Sequence, residues 1–486
     1  MRNVRRRKWI TAAVFGSAVV ICLTLVACSA GGAGKEVSGA TGAGSAGTRL
    51  PATITPRTGS LKEKNPQSDN AEAPPVPQAP GVPQAPEAPQ VPQTPLALTG
   101  EPIRIGAIYA LSGNNAAIGT NILRGIDFAA EDINQAGGVG GRPIEIIRGD
   151  TQGDAEVARA EAKRLITHEK VQAIVGCHQS TLTEIVSNVC EEYKIPMITA
   201  ISTVDSISTH NNDYFFRLCP MNSLYLEDMF LYMKEQKEQT GKAVRTIAVF
   251  ADNSMIGQEA IRCARIYAPR YGMEIVKEIQ YRQGVADLTK EILELKEADA
   301  DVVLAESYVA DASLLMKTMK EQNYQPPMLI AKANGFADPS FIPATKGMSE
   351  GVTSVVEWNP DMTKGQEVNR RFKEIFGVDM NGHSAEAYTA IWTFKTAFEQ
   401  ARTDDGEAVK DALAAIDIRD AFPGGPEIIL PYGRIKFEDY EFDGVRHYNN
   451  NIYASVAIAQ IQDGEYRTVW PFEYSNQKIV YPGGKP

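Results

Sequence analysis

The feature that most constrains this chain is a rhythm of short β-branched runs separated by amphipathic stretches, shown most compactly by residues 171–203. VQAIVG is too short and too β-branched for a helix, so it reads as a core strand that Gly176 releases into a turn. Ser180 and Thr181 stand where the next helix begins. Their hydroxyls, with the first free backbone N–H groups of that helix, form a cradle for a small anion such as a carboxylate. A second strand over 195–200 is followed by two more short donors, Ser202 and Thr203. In open α/β sheets ligands sit outside the carboxyl ends of the strands, so both hydroxyl sets are expected to face one crevice. Each hydroxyl alone also reads as an ordinary helix cap; their repetition at two successive strand ends is what points to binding.

The rhythm runs along most of the chain. IRIGAIYAL, residues 103–111, reads as a buried strand, and Ile122, Leu123, Ile126, Ala129, Ala130 and Ile133 recur at helical spacing behind it. A strand over 144–148 and a helix over 155–167 follow. After FFRLCP at 215–220 the alternation restarts, with strands in TIAVFA, MEIVKEIQY, DVVLAESY and MLIA and helices between them. GVTSVVEWNP reads as a return strand, residues 365–376 and 384–401 as helices, and the end as hairpin-linked strands turning at Asp463 and Gly464. Strands alternating with helices in this way predict an α/β fold with parallel, doubly wound sheets. About 385 residues are too many for one core, so two lobes are expected.

The amino terminus reads differently. Arg2, Arg5, Arg6, Arg7 and Lys8 precede an uncharged apolar run, the pattern of an export signal over residues 1–27. The run ends in Leu25, Val26, Ala27 and Cys28, which resembles the lipobox of bacterial lipoproteins, where cleavage leaves a lipid-bearing cysteine. An uncleaved anchor is the competing reading. The small residues before Cys28 and the polar sequence after it favour cleavage, and either way the remainder lies outside the cytoplasm, at the cell membrane or surface. Residues 28–101 are Gly/Ser-rich, then Pro/Gln-rich, a linker that cannot bury enough apolar surface to fold. Its proline part is expected to be an extended polyproline II spacer that lifts the domain or carries it through a wall.

The chain has 49 basic and 60 acidic residues, net -11. Removing the five basic residues of the leader leaves 44 against 60, net -16, which argues against a nucleic-acid-binding face. Cys177, Cys190, Cys219 and Cys263 remain after Cys22 and Cys28 are set aside; they allow three full pairings or reduced thiols, and their scatter shows no zinc spacing. GCHQS fails the nucleophile-elbow pattern, GGVGG lacks a phosphate-loop lysine, and the five histidines are dispersed, so neither catalysis nor a cofactor is expected. His178 is a candidate to line the crevice, or a turn histidine in water. Tyr388 is a candidate to approach the hinge.

IRIGAIYALSGNNAAIGTNILRGIDFAAEDINQAGGVGGRPIEII resembles the opening signature of type I periplasmic binding proteins for branched-chain and other amino acids. The likeness extends over most of 102–470. It implies two Rossmann-like lobes joined by three crossovers, near 217–221, 355–360 and 430–433, closing on a ligand. The lobes are then 102–220 with 356–430, and 221–355 with 431–486. The resemblance assigns Ser180 to the ligand carboxylate, Ile201 to a backbone contact, Thr203 to a neighbouring hydroxyl, Ile118 to an apolar wall and Tyr308 to an aromatic from the second lobe. Leucine, isoleucine and valine binders present an acid to the α-ammonium where this chain has Asn334 or Ala333, with Lys332 close by. A buried ammonium without a carboxylate is costly. Either Glu306, on the same strand face as Tyr308, takes that role, or the ligand is an amide, a urea-like compound or an acid that uses Lys332.

The function implied is a lipid-anchored solute-binding protein that captures an amino acid or related small polar metabolite and delivers it to an ABC permease and ATPase. A sensing subunit with the same fold is the alternative, and a surface hydrolase a more distant one.

Overall fold

The computed structural model describes residues 98–332, 334–338 and 340–481. The export signal, Cys28, the linker up to residue 97, Ala333 and residues 482–486 lie outside the described residues. Among those described, no helix is long and apolar enough to cross a membrane.

Two seven-stranded sheets organise the chain. In order, the strands are β1 (Ile103–Tyr109), β2 (Ile144–Asp150), β3 (Ala173–Gly176), β4 (Met197–Thr199), β5 (Phe215–Arg217), β6 (Thr246–Asp252), β7 (Glu274–Tyr281) and β8 (Val302–Glu306). They continue with β9 (Met328–Lys332), β10 (Thr353–Val356), β11 (Ile418–Arg419), β12 (Arg434–Ile435), β13 (Phe437–Phe442), β14 (Val445–Asn451), β15 (Ala457–Gln462) and β16 (Glu465–Trp470). The first sheet runs β13-β14-β5-β4-β3-β1-β2 and the second β16-β15-β10-β9-β8-β6-β7, while β11 and β12 form a small ribbon. β1 to β5 are parallel, as are β6 to β10; within these two sheets the hairpins β13–β14 and β15–β16 bring in the antiparallel pairs, and the β11–β12 ribbon is antiparallel too.

The strand patterns explain these places. β3 and β8 are buried along their whole length, as continuous apolar runs covered by helices on both faces must be. β7, at an edge, alternates exposed with buried positions only in its last residues. In the first lobe the Ala116–Gln135 helix turns Ile122, Ile126, Ala129, Ala130 and Ile133 inward. It meets the Gly382–Ala401 helix at Gly125, where an added Cβ would lie 2.2 Å from the Ser384 carbonyl oxygen, so no larger residue allows this approach. That second helix is buried on every face from Ser384 to Phe398. Tyr388 lies inside it rather than near the hinge: its hydroxyl donates to Asp132 Oδ2 (3.0 Å), a carboxylate already held by two bonds from Arg371.

The carboxyl-terminal part corrects the sequence expectation. The resemblance places residues 431–486 in the second lobe with a crossover at 430–433, but β13 and β14 extend the first sheet, with Asn450 of β14 paired to Arg217 of β5. They cover the edge that β5 would otherwise leave open. The chain therefore crosses between sheets at 218–221, 357–365 and 452–456. The turn of this hairpin reaches the other lobe. Phe442 stacks on Tyr267 (centroids 5.5 Å apart), and Asp443 Oδ2 pairs with Arg262 Nη1 at 2.7 Å. At the far end, Asp463 and Gly464 both have positive φ, 53° and 76°, the conformation a tight two-residue hairpin needs. All four cysteines described are buried free thiols, so none of the three pairings forms.

Candidate functional site

On the first lobe, β3 ends at Gly176, packed so tightly on β1 that a Cβ would lie 2.5 Å from the Ile108 carbonyl oxygen. The chain then turns into the Ser180–Tyr193 helix. Gln179 precedes it in extended conformation and its side chain caps nothing; its carbonyl accepts the Leu182 and Thr183 N–H groups, which leaves those of Ser180 and Thr181 to an outside acceptor. Ser180 is half-buried at the first helical position. After β4, Ile201 is buried in the lobe's core. Ser202 is 1% exposed and committed inward: its hydroxyl donates to the Cys177 carbonyl (3.0 Å) and pairs with Thr183 Oγ1. Its role is to tie the ends of β3 and β4 together, and it has no free face for a ligand. Thr203 is half-buried, and its carbonyl accepts the N–H of Asn222 at 2.7 Å, the first residue of the second lobe's leading helix, Asn222–Glu235. Ile118 is partly buried against the first-lobe core.

His178 follows Cys177 at the same strand end. Burial and the facing His383 bring its pKa down to about 4, so the ring is neutral, and its Nδ1 has no partner among the described residues. His383 is 205 positions away in sequence and stands in the first turn of the Gly382–Ala401 helix, a neighbour no local pattern announces.

On the second lobe, Glu306 and Lys332 end β8 and β9 in direct register. Lys332 Nζ lies 3.9 Å from Glu306 Oε2 and 5.4 Å from the centre of the Tyr225 ring. Glu306 is 2% exposed, and burial pushes its pKa up to about 7 despite the nearby ammonium, with Asp252 and Glu259 adding to the rise. Tyr308 opens the Val309–Glu321 helix, partly exposed, and its hydroxyl faces Ser254, Asp252 and Glu306. Asn334 begins the short helix Asn334–Ala337. This helix lies hard against the end of β8, since a Cβ on Gly335 would sit 2.1 Å from the Ser307 carbonyl oxygen. Glu306, Tyr308 and the 334–337 segment are thus brought together at one set of strand ends, and Ser180, Ile201 and Thr203 at the other.

A largely buried chain of side chains runs from the second set into the first lobe. Tyr225, under Lys332, donates its hydroxyl to Glu357 Oε1 (3.0 Å) on the second crossing. A Cβ on Gly382 would lie 2.5 Å from Glu357 Oε2, so that carboxylate rests on the start of the Gly382–Ala401 helix. One turn on, Glu386 is 2% exposed, and its Oε2 has no hydrogen-bond partner among the described residues. Burial and the facing Glu357 hold its pKa well above the usual carboxylate range. Tyr109, at the end of β1, is fully buried near Glu386, and its hydroxyl is also unpartnered. Glu357, Glu386, Tyr109 and Tyr225 were not anticipated from sequence. A glutamate inside the apolar run AEAYTAIWTF was the one signal available.

Two surface hollows lie elsewhere. One of about 640 Å³ sits between Leu98, Ala130, Asn134 and Ile146, and one of about 310 Å³ lies around Lys364, at the end of the second crossing. Neither touches the strand ends. Among the described residues no cluster of three or more acidic, histidine or cysteine side chains is arranged to hold a metal ion.

The sequence has clear relatives. The periplasmic binding protein family matches residues 102–450. A protein of Brucella suis named Leu/Ile/Val-binding protein homolog 7 is 29% identical over 394 residues, 78% of this chain and 94% of that protein. A putative branched-chain amino acid ABC transporter structure from Silicibacter pomeroyi superimposes with a TM-score of 0.69 at 21% identity, covering 79% of this chain and all of that one. The branched-chain amino acid transporter substrate binding protein LivJ of Streptococcus pneumoniae, solved in complex with isoleucine, gives 0.60 at 20% identity, covering 78% and 99%. With two parallel-sheet α/β lobes, three crossings and a match over most of its described length, the chain belongs to the periplasmic binding protein family.

Proposed function

We propose that the protein is an extracytoplasmic solute receptor that captures an amino acid or a close relative between its lobes and hands it to an ABC permease and ATPase. It binds and releases its solute unchanged, in keeping with relatives named as substrate-binding proteins of transporters rather than enzymes. The observation that carries this reading is the opposition of charge preference across the crossings. The first lobe offers an uncapped helix start at Ser180 with the Thr203 hydroxyl beside it, suited to a carboxylate. The second offers Glu306 and Tyr308 at its strand ends, suited to an ammonium. A zwitterion held across the gap satisfies both, and its differential affinity for the closed arrangement would drive the lobes together. Cys28 is the proposed lipid attachment, with residues 29–101 as the tether.

A thermal-shift screen of amino acids, amides and carboxylates at millimolar concentration tests the reading. At least one compound is expected to raise Tm by several degrees, as about 3 kcal/mol of linkage at a hundredfold excess over Kd requires. No shift across the whole panel overturns it.

A further inference from the structure

The polar chain behind the binding gap holds more carboxyl groups than a simple zwitterion can partner. We infer that the solute carries a second cationic group, at the end of its side chain, received by Glu386 and Glu357; this rests on the solute-receptor reading above. Glu306, with Lys332 3.9 Å away, is the second lobe's acid for an α-ammonium. That leaves the pair on the second crossing and the Gly382–Ala401 helix. Glu357 accepts the Tyr225 hydroxyl, while Glu386, 2% exposed, keeps Oε2 unpartnered, and the Tyr109 hydroxyl beside it is unpartnered too. The groups facing Glu386 are Glu357, Tyr109, Cys219, Tyr225 and Tyr432, and none of them is cationic.

The position of the pair matters as much as its charge. Tyr109 ends β1, Glu357 lies just past β10, and Tyr225 lies one turn into the helix that follows the first crossing. The pair therefore lies beside the chain crossings, next to the strand ends that carry Ser180 and Thr203. An aliphatic side chain laid here leaves a carboxyl oxygen and a hydroxyl buried without partners, which disfavours it. A guanidinium or ammonium supplies donors to both, and its charge returns Glu386 to the ionised form that burial opposes. Sites built to hydrogen-bond a group discriminate by orders of magnitude against analogues that lack it.

The test is titration calorimetry on the full chain with L-arginine, L-lysine, L-citrulline and L-leucine. Citrulline has nearly the shape of arginine without the charge. Arginine or lysine is expected to bind at least about tenfold tighter than citrulline and leucine. In Glu386→Gln that preference should shrink to roughly threefold or less, with the ligand-free Tm retained. If Glu386→Gln does not fold, Tyr109→Phe, which removes one hydroxyl, should weaken arginine or lysine and leave leucine unchanged. Leucine or citrulline binding as tightly as the basic amino acids, or a preference that survives Glu386→Gln, overturns the inference while leaving the solute-receptor reading intact. Failure of every compound in the wider panel overturns both.

Discussion

Tyr225 donates its hydroxyl to Glu357 Oε1 across 3.0 Å, and the two residues belong to different parts of the hinge. Tyr225 is in the leading helix of the second lobe, and Glu357 is on the segment that returns the chain to the first. The bond is partly buried and ends on a carboxylate, so deleting the donor takes the partner from a half-buried acceptor. Tyr225→Phe keeps the ring under Lys332 and is expected to destabilise the protein by about 1–3 kcal/mol in urea unfolding. A change within about 0.5 kcal/mol, the usual range for surface substitutions, would show that the bond does not join the lobes.

The two serines at successive strand ends should separate cleanly. Ser202 holds the Cys177 carbonyl and Thr183 in the interior. Ser202→Ala should therefore lower stability by about 1–3 kcal/mol. Ser180 stands at a half-buried helix start with no capping role. Ser180→Ala should leave Tm nearly unchanged and weaken ligand binding about tenfold, the worth of one hydrogen bond to a charged group. Calorimetry and thermal melts on the two variants decide it; a reversal of the two effects would remove Ser180 from the site.

Stability should fall as pH rises through the neutral range because of Glu306. Its folded pKa of about 7 lies above the ordinary 4.5, so the folded chain holds a proton that the unfolded chain releases. This contribution is fully present below about pH 4.5 and is lost as pH climbs through 7, by roughly 3 kcal/mol. His178 acts at the acid end: with its pKa down to about 4 from 6.5, it favours the folded state above 6.5, and that part is lost as pH falls through 4. In Glu306→Gln the decline between pH 4.5 and 7 should flatten. Chemical denaturation at a series of pH values measures the slope, and an unchanged slope would mean that Glu306 is ionised throughout.

The interlobe packing of the β13–β14 turn gives a further prediction. Phe442 is 1% exposed and stacks on Tyr267. Phe442→Ala should cost about 3–5 kcal/mol. Asp443→Asn, which removes the exposed charge beside Arg262 and leaves the Arg262–Phe442 contact in place, should cost under about 1 kcal/mol. Equal losses in the two variants would mean that charge, not packing, holds the turn in place.

The alternation of strand and helix could be read from local patterns because burial on both faces leaves continuous apolar runs such as VQAIVG and DVVLAE. Sheet membership could not. β13 and β14 have ordinary hairpin patterns, and which sheet takes them depends on an open edge at β5, more than 200 residues earlier. The site divides in the same way. Ser180 and Thr203 announce themselves at strand ends, but Ser202 looks the same in sequence and turns inward. Glu386 is hidden in a helix whose apolar residues surround it, and only the packing of that helix against β1 and the second crossing shows that its carboxyl has no base to meet.

The late return of the chain to its first sheet has a consequence for biogenesis. A polypeptide emerging amino end first has β1 to β5 available early, yet their edge stays open until residues 445–451 appear, and the other sheet waits for residues 465–470. Neither half can reach its final form as a separate early product. Truncation anywhere before β14 should leave no finished lobe, a protein that matures only when nearly its whole length has been released.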